Sequence, residues 1–195
     1  MFSAAGNTST IIINTTQWAN PRIDRLSAMS HPLFWPTKYF FYPIGITAAK
    51  SLTQDLSPEQ SADILILGCG DPRDILFTLY SDLTVGNAVR KMDITCSEIE
   101  PAILARNILL FSLLEDNIET LETIWDLFYH FKVNDNTAHV IQNQSQKLQK
   151  YAQDTQSWRE SPYGSFLKVV DTRTIIELRH HWENYANFSS LPPQS

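Results

Sequence analysis

Most of the chemistry this sequence could perform is concentrated in five consecutive residues, Leu67-Gly68-Cys69-Gly70-Asp71. They close an aliphatic run, Asp63-Ile64-Leu65-Ile66-Leu67, and open an apolar stretch through Ile75, Leu76, Leu79 and Tyr80. Glycine lets backbone approach a ligand closely, and the first turn of a helix leaves N–H groups without partners. Strand, Gly-x-Gly turn and helix in that order can cradle a small molecule. The dinucleotide form of the turn needs a third glycine, and Arg73 stands at that place. A carboxylate at Asp71 repels a pyrophosphate, which disfavours NAD and FAD. S-adenosylmethionine has no phosphate, carries an ammonium and a sulfonium, and tolerates acidic surroundings.

A second turn, Glu98-Ile99-Glu100-Pro101, follows the run Met92–Ser97. An acid at the end of a second strand is placed to hold ribose hydroxyls, and either Glu98 or Glu100 can take that role. Gly68, Gly70, Asp71, Glu98 and Glu100 are therefore the candidate cofactor-binding residues. Glu98 lies further beyond Gly70 than the usual distance of about 20 residues, which puts an insertion in the crossover over Ser81–Lys91. The same turn also serves as a tight strand-to-helix connection with no ligand, and that reading stays open. Cys69 and Cys96 fall near the ends of the two proposed strands, where free cysteines read as small buried hydrophobes. Arg106-Asn107 interrupts an apolar helix, either as a satisfied polar pair or with Arg106 ordering Glu98 or Asp71. The adjacent His180-His181 cannot both face one way on a helix, so no metal site is expected.

The elements that must position these residues are readable in outline. Ile11-Ile12-Ile13 marks a short strand in an otherwise loose terminus. Residues 31–45, HPLFWPTKYFFYPIG, are too rich in proline for a helix and read as an aromatic loop or a partner surface at 33–42. A short helix is expected over Ile46–Leu56. The aliphatic run at Asp63–Leu67 predicts a strand buried on both faces. Asp71, Pro72 and Asp74 carry the start signals of the helix that follows. A long apolar helix is expected over Ala102–Leu114, with Thr120–Phe131 helical and its apolar residues, including Leu121, Ile124, Trp125 and Phe128, near one face. Thr137–Gln153 reads as a surface helix, Phe166–Val170 as a short strand, and Thr174–Tyr185 as an amphipathic helix. The expected fold is α/β, a partial Rossmann-like parallel sheet with extra C-terminal helices. Its divisions are an extension at 1–30, a core at 31–132 and a helical part at 133–195.

Composition sets the outer bounds. The chain has 195 residues, 43% of them hydrophobic, which suits one globular unit. With 15 basic against 21 acidic residues and a net charge of −6, nucleic acid is not an expected partner. Two cysteines suggest a reducing compartment, and no apolar run approaches a membrane span, so a cytoplasmic protein is expected.

The blocks SLTQDLSPEQSADILILGCGDPRDILFTLY and DITCSEIEPAILARNILL, in that order, resemble a fungal domain of unknown function, the 4470 family. That domain stands at the N-terminus of proteins carrying a MYND-type zinc finger and is related to the opening domain of dynein axonemal preassembly factors. The resemblance covers residues 31–132 and implies a class I methyltransferase-like core. Gly68, Gly70 and Asp71 match its glycine turn, and Glu98 and Glu100 its acidic turn. The sequence departs from longer members: two cysteines cannot build a MYND finger, and no NPPY-like motif is present. Two readings follow. The first is a non-catalytic module that holds a protein partner through residues 33–42 or the helix at 174–185, with no certain cofactor. The second is an S-adenosylmethionine-dependent methyltransferase of unknown substrate.

Overall fold

The computed structural model describes residues 10–15, 47–85, 90–117, 119–129 and 133–187. Its strands are β1 (Thr10–Thr15), β2 (Ala62–Leu67), β3 (Met92–Glu98) and β4 (Leu167–Val169). Its helices are α1 (Arg73–Val85), α2 (Pro101–Asp116), α3 (Leu121–Tyr129), α4 (Asp135–Tyr151), α5 (Thr155–Arg159) and α6 (Thr172–Ala186). The aromatic segment 31–45, the proposed partner surface at 33–42 and the tail at Leu191–Pro193 lie outside the described residues.

The four strands form one parallel sheet in the order β2-β3-β1-β4. Side chains alternate across a strand, so Ile11 and Ile13, Met92, Ile94 and Cys96, and Leu167 and Val169 share one face. All seven are buried. Helices α2 and α6 pack on these strands, and the core lies between.

The sheet corrects one expectation. β2 is the edge strand among the described residues and is not buried on both faces: Leu65 is 62% and Leu67 73% exposed. An aliphatic run looks the same at an edge and at a centre. Here Ala62, Ile64 and Ile66 face the core, and the alternate residues face outward.

The helix expected over Ile46–Leu56 is also corrected. The described part, from Thr47 on, is a series of turns. Its backbone groups are taken by α1 instead. Lys50 N–H donates to Asp74 Oδ1 at 3.0 Å and Leu52 N–H to Thr78 Oγ1 at 2.9 Å. Thr53 Oγ1 donates to Asp82 Oδ1 at 2.9 Å, and Arg73 donates to the Thr47 carbonyl. The buried Arg90 completes the join, reaching Asp82 at 2.6 Å and the carbonyls of Ser57 and Gln60.

Helix α2 is buried along nearly its whole length. Pro101 opens it, Glu100 caps it, and it ends where Asn117 turns left-handed at φ 51°. Helix α6 starts at the cap Asp171, whose carboxylate accepts Thr174 N–H at 2.7 Å. Its Ile175, Leu178 and Trp182 are buried in the core, and Ile176 is exposed. Trp182 stacks on Trp158 at 5.7 Å and donates to the Ala105 carbonyl at 3.0 Å. Helix α4 is not a plain surface helix. It packs against both α2 and α6 and buries Gln144, Ser145 and Leu148. On α3, Ile124, Leu127 and Phe128 are buried, whereas Leu121 and Trp125 are exposed rather than on the packed face.

Candidate functional site

The glycine turn sits at the carboxyl end of β2, beside the end of β3. Gly68 has φ +64° and Gly70 φ +51°, the left-handed region that side chains disfavour. Among the described residues a Cβ at Gly68 would meet nothing within 4 Å, so backbone conformation and not crowding demands glycine there. Gly68 N–H donates to the Ser97 carbonyl at 2.8 Å and Cys69 N–H to the same oxygen at 3.4 Å. The β2–β3 pairing thereby runs on into the turn.

Glu98 faces inward, only 7% exposed. Its Oε2 accepts Gly70 N–H at 3.1 Å, and its Oε1 accepts Ile99 N–H at 2.8 Å and Glu100 N–H at 3.4 Å. One carboxylate thus satisfies the backbone of both turns. Glu100 caps α2, accepting Ala102 N–H at 3.5 Å. Asp71 lies two residues ahead of α1 and holds its first residue: Oδ1 accepts Arg73 N–H at 3.0 Å, and the Arg73 guanidinium lies 3.5 Å away.

The polar pair on α2 divides its work in a way its sequence does not reveal. Asn107 reaches the turn, donating Nδ2–H to the Gly70 carbonyl at 2.6 Å. Gly70 is thus held on its N–H by Glu98 and on its carbonyl by Asn107. Asn107 is 4% exposed, and among the described residues its Oδ1 finds no donor. The available signal was an amide in a helix of leucines. Arg106 lies over the Phe128 ring at 4.4 Å. Burial pulls its guanidinium below its ordinary range, against the charges of Tyr185 and Asp71. Burial pushes the Tyr129 phenol up, with the Asp71 charge adding to the rise.

Cys69 and Cys96 meet across the two strands. The thiols form a hydrogen bond that raises Cys69 and lowers Cys96; burial and the Glu98 charge push Cys69 further up. Among the described residues no group of three His, Cys, Asp or Glu side chains could hold a metal ion. Among the same residues no helix is long and apolar enough to cross a membrane.

The structure thus gathers all five sequence-predicted residues into one pair of adjoining turns. Its carboxylates serve the turns themselves: Glu98 their backbone, Asp71 the start of α1, Glu100 the start of α2. No curated protein and no solved structure matches the chain. A family model, the domain of unknown function DUF4470, matches residues 43–133, a span that contains both turns and Asn107. The chain therefore carries a DUF4470 domain, with the glycine turn, Glu98 and Asn107 inside it.

Proposed function

We propose that this chain is a non-catalytic module with a methyltransferase-like, Rossmann-type design, acting as a scaffold for a protein partner. The observation that carries this reading is the Glu98 carboxylate. In a nucleoside pocket that acid would be open to ribose hydroxyls. Here it is buried and engaged with three backbone N–H groups, including that of Gly70. Releasing it would break three hydrogen bonds to a charged acceptor, each worth about 1.5–3 kcal/mol. The place of β2 at the sheet edge supports the same reading, because ligand crevices of open α/β sheets lie where strands flank the switch point on both sides. Exposed Leu65 and Leu67 on β2, with Ile99 beyond β3, supply apolar surface of the kind that partners cover. Beside β2 runs a groove of about 570 Å³ that includes Leu52, Leu56, Ile64 and Leu65 in its walls.

One observation favours the second reading, an S-adenosylmethionine-dependent methyltransferase. Among the described residues, the buried Asn107 Oδ1 is an acceptor without a donor, next to a turn with no atom within 4 Å of a Cβ at Gly68. Calorimetric titration with S-adenosylmethionine and S-adenosylhomocysteine separates the two. The scaffold reading expects no heat and no thermal shift at millimolar ligand. Micromolar binding that Gly70→Arg abolishes while the fold stays intact would overturn it in favour of the second.

A further inference from the structure

We propose that Cys69 and Cys96 form an oxidation site, at which a peroxide closes a disulfide between the glycine turn and β3. The backbone brings the two residues together. β2 and β3 are parallel neighbours with Ile66 opposite Cys96, and the Cys69 N–H donates to the carbonyl of Ser97, the next residue after Cys96. Both side chains pack on the same core, Cys96 within it and Cys69 against it. Access is unequal: Cys69 is half-buried and Cys96 is 3% exposed. The chain has only these two cysteines, so an internal disulfide has no other pairing.

The reaction has two steps. The Cys69 sulfur attacks one peroxide oxygen, and its proton passes to the departing hydroxide. The O–O bond breaks, giving a sulfenic acid on Cys69 and one water. The Cys96 sulfur then attacks the sulfenic sulfur, the S–O bond breaks, and the hydroxyl leaves as a second water with the Cys96 proton. Two thiols lose two electrons in all, and both peroxide oxygens end as water. The positive-φ glycines on either side of Cys69 give that residue backbone freedom to settle against β3. The product ties the turn covalently to the strand that carries Glu98.

The test treats the full chain with hydrogen peroxide, then reads intact mass, dimedone adducts and thiols alkylated after denaturation. The wild type should become lighter by two hydrogen atoms at its cysteine peptides. Its alkylatable thiols should fall from two to none, with no dimedone adduct, and dithiothreitol should restore both. Cys96→Ser should carry a dimedone adduct on Cys69, because nothing resolves the sulfenic acid. Cys69→Ser should keep the Cys96 thiol. A wild-type chain that accumulates sulfenic or sulfinic acid on Cys69, links to a second chain, or keeps both thiols would overturn the proposal. If a serine variant fails to fold, the wild-type thiol and dimedone results decide alone. This outcome is independent of whether the turn holds a ligand.

Discussion

At the scale of single residues, Gly70 bears the most constraint, held by Glu98 on one side and Asn107 on the other. Alanine at Gly68 or Gly70 meets no backbone clash, since the nearest atom to a Cβ at Gly70 is 3.9 Å away. The penalty should therefore be the left-handed conformation alone, roughly 1–2 kcal/mol for each substitution. Asparagine should cost less than alanine at either position. Urea unfolding of the variants measures this, and an alanine variant as stable as the wild type would mean that the turn relaxes freely. The residue types of the turn were legible in sequence. The direction of Glu98 was not. An acid at a strand end reads the same whether its carboxylate meets solvent or folds over a neighbouring N–H. That choice depends on Gly70 arriving from a different strand.

Among the elements, the join of α2, α4 and the turn before β4 rests on one carboxylate. Asp116 Oδ2 accepts from Lys147 Nζ at 2.8 Å, Tyr163 Oη at 2.8 Å and Gln144 Nε2 at 2.9 Å. Burial by itself would raise the Asp116 carboxyl, but the three hydrogen bonds outweigh it, and the group sits below its ordinary value of 3.8. Burial, with Asp116 opposing the Lys147 contribution, pushes the Tyr163 phenol up to about 12, so it remains a donor. A carboxyl depressed in the folded state stabilises above its unfolded pKa, and that share is lost as pH falls through the folded value. Urea midpoints should thus drop on acidification below pH about 4. Asp116→Asn should lower stability at neutral pH by about 1–3 kcal/mol and reduce the acid dependence. An unchanged acid profile in Asp116→Asn would assign that dependence to other carboxylates. This network explains why α4 misled its sequence reading. A glutamine-rich helix looks solvated, yet Gln144 is buried because Ser112, Asp116 and Tyr163 arrive from elsewhere to satisfy it. The strand β2 and the helix α2 were legible as local aliphatic runs, and β3 as an alternation of apolar and polar residues. The edge position of β2 was not, since sheet order is a property of distant segments.

For the molecule as a whole, the DUF4470 match at 43–133 takes in β2 and β3 and the helices α1 to α3. The remaining half of the sheet comes from either side of it. β1 enters between β3 and β4, and β4 is brought in by the turn after α5. The tryptophan pair that seals the core, Trp158 and Trp182, also lies beyond the match. The region that reads as a family domain is therefore structurally dependent on its flanks.

The interior place of β1 bears on how the chain can fold during its own synthesis. β1 leaves the ribosome before either neighbour: Ile11 must wait for Ile94 and then for Leu167. Contacts so distant in sequence close slowly, and an unpaired strand is exposed meanwhile. A nascent chain stalled after α3 should be digested readily by protease, and resistance should appear only once α6 has cleared the exit tunnel. Early resistance would mean that β1, β2 and β3 hold together without β4. Otherwise β1 stays without its second partner from its own synthesis until that of β4, and that interval is when a chaperone would have most to protect.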